Sequence, residues 1–206
     1  MEFGKVGYWR ERFLQLQEKG EAVEEWCADF DAIESHILPL VSKHSATLHV
    51  GCGLSDLHFA FATATGGGLH HCLDYIWSVL PSNAEKGRQL ARSSPLPFQL
   101  EWMQADARSL PLRSGVYDLV LDKGLIDQFF ILEDEGLETG MAHLQSELAR
   151  VLRRGGHYAF VTIGNKYDRL YSLKKVGVWE EKIEVVELRP STNTLGASYL
   201  FVVTKK

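Results

Sequence analysis

The chain has 206 residues, 45% of them hydrophobic, which is enough for one domain with a substantial core. Its net charge of −5 argues against a general nucleic-acid-binding surface, so we predict no nucleic-acid partner. No apolar run reaches the ~18 residues that span a membrane, and the first residues resemble neither a signal peptide nor a transit peptide.

The first forty residues are predicted to be helical. Residues 8–13 begin one amphipathic segment, and Phe30, Ile33, Ile37 and Leu40 give a second segment an apolar face at helical spacing. From residue 48 onward, strands and helices are predicted to alternate.

The first predicted strand, residues 48–50, runs into Gly51 and Gly53, which form a tight turn. Ser55 or Asp56 then caps a helix that is predicted to continue through Ala64. The glycines at 66–68 stop that helix before the next strand.

Asp74 ends the second predicted strand, residues 69–73, and follows the glycines by the spacing typical of a nucleotide-binding βαβ unit. In such units the ligand lies across the carboxyl ends of the strands, and an acid about 20 residues beyond the glycines binds the ribose hydroxyls. The sequence therefore predicts a nucleoside ligand.

The remaining elements complete a single α/β domain. In chain order they are a short helix at 76–80 interrupted by Pro81, a loop at 92–97, strands at 98–103 and 116–121, a helix over 141–152 ended by Gly155 and Gly156, a strand at 157–163, and a closing hairpin of strands at 181–188 and 199–204. This order predicts a mostly parallel sheet with an antiparallel edge.

The glycine turn disfavours a dinucleotide. Asp56 stands where the dinucleotide fingerprint has its third glycine, and an acid at a helix amino terminus opposes a pyrophosphate. A ligand with a nucleoside and no phosphate fits better, and S-adenosylmethionine is the common one. NAD-dependent oxidoreduction is therefore a distant alternative.

Four motifs occur in an order that resembles a known family. They are Val50-Gly51-Cys52-Gly53, Leu73-Asp74-Tyr75, Ala105-Asp106-Ala107 and Asp122-Lys123-Gly124-Leu125-Ile126-Asp127. The chain resembles class I, seven-β-strand methyltransferases that use S-adenosylmethionine. The leading Tyr8-Trp9 with Phe13, and the Asp-Lys-Gly-x-x-Asp motif, are similar to the branch of elongation-factor-1α lysine and citrate-synthase lysine methyltransferases.

The resemblance implies a Rossmann-like fold with a seven-stranded, mostly parallel sheet, an antiparallel C-terminal strand and helices on both faces. It implies a single methyltransferase domain over 1–206, in which residues 1–45 form an N-terminal helical lid and residues 46–206 the core. The implied activity is methyl transfer from S-adenosylmethionine to a lysine side chain of a protein.

The resemblance also assigns cofactor-binding roles. Glycines approach the methionine part, Asp74 holds the ribose, acids and aromatic rings bind the adenine, and N-terminal aromatic residues cover the cofactor. The assigned residues are Trp9, Phe13, Trp26, Gly51, Gly53, Asp74, Tyr75, Asp106, Ala107 and Lys123. The chain departs from the family pattern at two positions. Leu54 stands where the family usually has Asn after the glycines, and Phe13 stands where the family often has Tyr.

The segment after the fourth strand is predicted to bind the acceptor. An apolar run that includes Phe129 and Phe130 precedes the acids Glu133, Asp134 and Glu135, which suit a protein substrate with a basic segment. Asp127 is predicted to position the acceptor, as the one catalytic candidate. The alternatives are structural roles: Asp127 caps a helix, and the acids form a solvated loop.

Other readings of function and chemistry stay open. A small-molecule methyltransferase is one alternative, and a cofactor-binding, non-catalytic partner subunit is another. No metal site is predicted, because alternation sends the side chains of His70, His71 and Cys72 to opposite faces of a strand. The three cysteines are odd in number and widely spaced, as in reduced thiols, so we predict a cytoplasmic protein without a membrane association.

Overall fold

The computed structural model describes residues 5–20, 25–93, 98–131, 137–188 and 196–206. Its helices are α1 (Val6–Lys19), α2 (Glu34–Ile37), α3 (Leu57–Thr65), α4 (Val79–Ser93), α5 (Leu125–Ile131), α6 (Leu137–Val151) and α7 (Lys166–Val176), with a 3-10 turn at Leu38–Leu40. Its strands are β1 (Ala46–Val50), β2 (Gly68–Asp74), β3 (Phe98–Gln104), β4 (Tyr117–Lys123), β5 (Leu152–Ile163), β6 (Trp179–Leu188) and β7 (Ser198–Lys205).

Within these residues the strands form one seven-stranded sheet in the order β3-β2-β1-β4-β5-β7-β6. Strands β1 to β5 pair in parallel, whereas β7 runs antiparallel to both β5 and β6. The predicted mostly parallel sheet with an antiparallel C-terminal strand is confirmed. The antiparallel strand is not the edge, however, because β7 inserts between β5 and β6.

The sheet is covered on both faces, since neighbouring residues of its central strands point to opposite sides. On β5, Tyr158 and Phe160 pack with α6, while Ala159 and Val161 pack with α3 and the segment before β1. This is the two-faced burial expected of a parallel sheet.

Two helix boundaries differ from the prediction. Helix α4 runs from Val79 to Ser93 with Pro81 in its first turn, where a missing backbone N–H costs nothing. Helix α6 ends at Val151, before the glycines, and β5 begins at once. Gly156 instead lies in an irregular pairing with β4, where a Cβ would come within 2.9 Å of a backbone oxygen.

The N-terminal region is helical only in part. Helix α1 is confirmed, but α2 has only four residues, and Cys27 to Ile33 form bends and turns. Ile33 and Ile37 are nevertheless buried against α3 and the sheet, so the apolar face predicted for this segment does pack into the core.

Three histidines are buried together beside the glycine turn. The ring of His49 lies 6.1 Å from that of His58 and 5.8 Å from that of His70, measured between centroids. Burial, together with the positive charges of Lys86 and Lys123, lowers the pKa of His58 from 6.5 to about 3. The folded protein therefore holds His58 as a neutral imidazole.

The neutral state of His58 makes stability depend on pH. Below pH 6.5 the unfolded chain binds a proton at this ring, and the folded protein does not bind it until about pH 3. Proton binding therefore favours the unfolded chain, and the free energy of unfolding decreases as the pH falls below 6.5. At pH 5 the loss is about 2 kcal/mol, from roughly 1.5 pH units at about 1.36 kcal/mol each.

We therefore expect the free energy of unfolding of His58→Phe, relative to that of the original protein, to rise by about 2 kcal/mol between pH 7 and pH 5. Urea unfolding at a series of pH values measures the difference. His44→Phe, at an exposed histidine, is the matched control and should show no such trend. A pH-independent difference for His58→Phe would contradict a neutral buried ring.

No helix in the described part of the chain is both long and apolar enough to cross a lipid bilayer. Among the same residues, no group of three His, Cys, Asp or Glu side chains is arranged to hold a metal ion.

Candidate active site

The turn after β1 is tied to the end of β2 by one carboxylate. Asp74 Oδ2 accepts a hydrogen bond from Gly53 N–H at 2.8 Å, and Oδ1 accepts one from Ile76 N–H at 2.8 Å. Burial raises the pKa of Asp74, and these backbone donors oppose the rise. A carboxylate has about four acceptor sites, so Asp74 has capacity for a hydrogen bond from a ligand beyond those to the backbone.

The two glycines of the turn are required by conformation and by close packing. Gly51 and Gly53 have φ values of 63° and 50°, which favour glycine. A Cβ on Gly51 would lie 2.9 Å from Leu125 Cβ, and one on Gly53 would lie 3.1 Å from the tip of the Phe13 ring. The turn is therefore approached by α5 on one side and α1 on the other.

The space beneath the turn is too small for a nucleoside. A cavity of ≈ 20 Å³ lies there, with His49, Gly51, Ser55, His58 and Lys123 in its wall. That volume suits a single water molecule. This cavity therefore does not hold a nucleoside, and the carboxyl ends of the strands outside it are where sheets of this kind bind their ligands.

The predicted adenine residues follow β2 and β3 at this same edge. Tyr75 is half exposed, and its carbonyl accepts a hydrogen bond from the Gln104 side chain at 3.0 Å. Asp106 is paired with Arg108 at 2.7 Å, and this hydrogen bond lowers the pKa of Asp106. Ala107 is buried directly after it. Arg108 was not anticipated from the sequence.

The predicted N-terminal aromatic residues meet over the turn. The Trp9 ring lies 5.7 Å from Phe13 and 5.8 Å from Trp26, between centroids. Trp9 Nε1 donates to Gln128 Oε1 at 2.9 Å, which links α1 to α5. A Cβ on Gly124 would lie 3.2 Å from the Trp26 ring. The structure therefore brings all three aromatic residues to the predicted cofactor edge.

Lys123 ends β4, but its ammonium group is already engaged. It forms an ion pair with Glu25 and donates to the Trp26 carbonyl at 3.1 Å. Its side chain is only 5% exposed. The residue that faces outward from this pair is Glu25, which the sequence did not single out.

Asp122 caps the helix that follows β4. Its oxygens accept from Leu125 N–H at 2.8 Å, from Ile126 N–H at 3.1 Å and from the Tyr158 hydroxyl at 2.8 Å. Burial raises the pKa of Asp122 to about 7. This carboxylate fixes the start of α5 and so fixes the position of Asp127.

Asp127 faces the protein interior, where it meets Arg169 of α7. The distance between Asp127 Oδ1 and an Arg169 guanidinium nitrogen is 2.7 Å, and Thr162 and the Ile163 N–H also donate to this carboxylate. Both charged side chains are less than 10% exposed. Asp127 therefore has its charge paired inside the protein, and the Arg169 guanidinium carbon lies 3.8 Å from the centre of the Phe130 ring.

The predicted acceptor residues are described in part. Phe129 and Phe130 lie on α5 and are half-buried, and Phe129 packs next to Gly140 of α6. The acids Glu133, Asp134 and Glu135 lie outside the described residues.

Three residues of this edge were missed because their partners are distant in the chain. Glu25 meets Lys123, Asn83 donates to the Gly53 carbonyl at 2.7 Å, and Arg169 meets Asp127. Glu25 stands next to the predicted Trp26, which was the nearest available signal. Nothing in the local sequence marks Asn83 or Arg169.

The chain is similar to known methyltransferases in sequence. A family described as "Methyltransferase domain" matches residues 48–160. The chain is 27% identical over 176 residues to "EEF1A lysine methyltransferase 4" of Mus musculus, covering 82% of this chain and 65% of the relative. It is 29% identical over 166 residues to "eEF1A lysine and N-terminal methyltransferase" of Danio rerio, covering 81% of this chain and 22% of the relative. The chain thus spans less than two thirds of the length of either relative.

Solved structures share the fold. A SAM-dependent methyltransferase from Aquifex aeolicus has a TM-score of 0.68 at 15% identity, covering 96% of this chain and 98% of the other. A SAM-dependent methyltransferase from Methanosarcina mazei has a TM-score of 0.62 at 16% identity, covering 82% of this chain and 96% of the other. At such identities the likeness concerns the arrangement of strands and helices.

Proposed function

Because this chain belongs to the methyltransferase-domain family, with S-adenosylmethionine as its cofactor, we propose that it methylates a lysine side chain of a protein. The observation that carries the proposal is the turn held by Asp74 beside the Asp-Lys-Gly-x-x-Asp segment at the end of β4. The names of the two relatives support a protein lysine as the acceptor.

The residues present fit the cofactor. Bound there, S-adenosylmethionine supplies an electrophilic methyl group on a sulfonium. We assign Asp74 to the ribose, because it ends β2 at the carboxyl edge of the sheet and its carboxylate already holds the glycine turn through Gly53 N–H. We assign Tyr75, Asp106 and Ala107 to the adenine. Asp106 would have to share its oxygens between Arg108 and the adenine amino group.

We assign the cover of this site to α1 together with Glu25 and Trp26. Phe13 contacts Gly53, and Trp9 joins Phe13 to Trp26. The proposed lid is thus shorter than residues 1–45, since Ile33 and Ile37 belong to the core.

A lysine acceptor must lose a proton before it reacts. With an ordinary pKa near 10.4, deprotonation at pH 7 costs roughly 4.6 kcal/mol, from about 3.4 pH units at about 1.36 kcal/mol each. Apolar walls and a nearby positive charge both lower an amine pKa. Phe129 and Phe130 supply apolar surface, and the sulfonium of a bound cofactor would supply the positive charge. The charge of Arg169, which lies against the Phe130 ring, is already compensated by Asp127. In this assignment Asp127 acts through Arg169 as a positioning residue.

The proposed partner is a protein with a basic segment, drawn to the acids Glu133, Asp134 and Glu135. We also propose that the protein works in the cytoplasm. The three cysteines support this, because all of them are buried free thiols, as is usual in a reducing compartment.

The test is transfer of labelled methyl from S-adenosylmethionine into a cell extract that is then separated into proteins and small molecules. We expect label in a discrete protein, at a lysine that mass spectrometry identifies. Label in small molecules alone would favour a small-molecule methyltransferase. Cofactor binding without label in either fraction would favour a non-catalytic partner subunit.

Neutralising the three acids together tests how the acceptor is recognised. We expect Glu133→Gln/Asp134→Asn/Glu135→Gln to raise the KM for the acceptor about tenfold, because three attractive charges are lost, while cofactor affinity stays unchanged. The matched control is Glu180→Gln/Glu181→Gln/Glu187→Gln, which removes three exposed charges from the edge strand β6. Equal acceptor KM values for the two triple variants would refute the proposed recognition.

A further inference from the structure

Glu25 joins three separate parts of the candidate site. Its Oε1 accepts from Asp56 N–H at 2.6 Å, and its Oε2 accepts from the Ser55 hydroxyl at 2.8 Å. The same Oε2 accepts from Lys123 Nζ. One carboxylate therefore connects the N-terminal segment, the start of α3 and the end of β4.

The ammonium group of Lys123 lies beside the glycine turn. The Lys123 side chain shares the wall of one small cavity with Gly51, Cys52 and Ser55, and it is 5% exposed. Its described polar partners are the Glu25 carboxylate and the Trp26 carbonyl. Without Glu25, a buried positive charge would stand uncompensated next to the surface assigned to the methionine part of the cofactor.

Such a charge would act differently on the two forms of the cofactor. S-adenosylmethionine carries a positive sulfonium, whereas the S-adenosylhomocysteine left after transfer has a neutral thioether. Two like charges several ångströms apart near a protein surface change an affinity by about tenfold or more. S-adenosylhomocysteine lacks the sulfonium and would not experience this repulsion, and the amino-acid charges that the two ligands share would be affected alike.

We propose that Glu25 is a positioning and specificity-determining residue of the cofactor site. It neutralises Lys123 and fastens the N-terminal segment to the glycine turn, so that the site binds the sulfonium cation and does not favour the neutral product. The inference rests on the proposed cofactor site, and it adds a residue that acts on the charge of the ligand.

The test compares the two ligands by titration calorimetry. We expect Glu25→Gln to weaken S-adenosylmethionine binding about tenfold or more, and S-adenosylhomocysteine binding by less than about threefold, because only the first ligand carries the sulfonium charge. Lys123→Met should change the ratio of the two affinities in the opposite direction, since Glu25 then stands uncompensated. The double variant should return the ratio close to its original value.

The controls separate this role from a structural one. Glu181→Gln removes an exposed carboxylate from β6, away from the cofactor site, and should leave both affinities unchanged. Equal weakening of both ligands by Glu25→Gln, or no weakening, would overturn the proposal. If Glu25→Gln does not fold, the ratio measured with Lys123→Met decides alone, and an unchanged ratio overturns the proposal. Failure of the original protein to bind either ligand would instead refute the cofactor site itself.

Discussion

Asp74→Ala is expected to weaken S-adenosylmethionine binding about 100-fold or more. Each hydrogen bond to a charged acceptor contributes about 1.5–3 kcal/mol, and the two ribose hydroxyls would lose their shared acceptor. Since about 1.4 kcal/mol corresponds to tenfold in affinity, two such bonds account for the effect. Calorimetric titration of the folded variant measures it directly.

The control for Asp74→Ala is Asp118→Ala. Like Asp74, Asp118 accepts from a backbone N–H, that of Ala46 at 2.8 Å, and it differs from Asp74 in pairing with Arg153. It lies near the amino end of β4, at the opposite edge of the sheet from Asp74. We expect Asp118→Ala to lose stability and keep its cofactor affinity. An Asp74→Ala affinity within about threefold of the original would rule out a ribose contact, because even one charged hydrogen bond exceeds that effect.

Arg169→Met is expected to lower the free energy of unfolding by about 3–5 kcal/mol at pH 7. Removing one partner of a buried ion pair leaves an uncompensated charge, here on Asp127. The loss should shrink toward pH 5. Burial already raises the pKa of Asp127, and without Arg169 the folded protein takes up a proton at a pH where the unfolded chain does not.

Urea unfolding of Arg169→Met and of the double variant Arg169→Met/Asp127→Asn separates charge from packing. The asparagine carbonyl can still accept from Thr162 or the Ile163 N–H, so the double variant should recover much of the lost stability. A double variant no more stable than Arg169→Met would show that the guanidinium acts by packing against Phe130 and not by pairing with Asp127.

The sequence predicted those parts of the fold and site that depend on neighbours in the chain. Gly51, Gly53 and Asp74 could be placed because a strand, a turn and the end of the next strand are local features. Ser55 was likewise a recognisable cap, and its hydroxyl does accept from Leu57 N–H at 3.1 Å.

What the sequence could not provide depends on residues that meet only in the folded protein. Glu25 and Lys123 are 98 positions apart, and Asp127 and Arg169 are 42 apart, so neither pairing follows from a local pattern. Pro81 was misleading for a different reason. A proline ends a helix only when it falls beyond the first turn, and the start of α4 was not evident from its residues.

The insertion of β7 between β5 and β6 has a consequence for synthesis on the ribosome. Strand β7 is made after both of its neighbours, so a nascent chain that stops before Ser198 has β5 and β6 with open backbone edges facing each other. Open edges can pair with other chains and promote aggregation. The sheet is therefore complete only once β7 has left the exit tunnel, and until then the edges of β5 and β6 stay open to pairing with other chains.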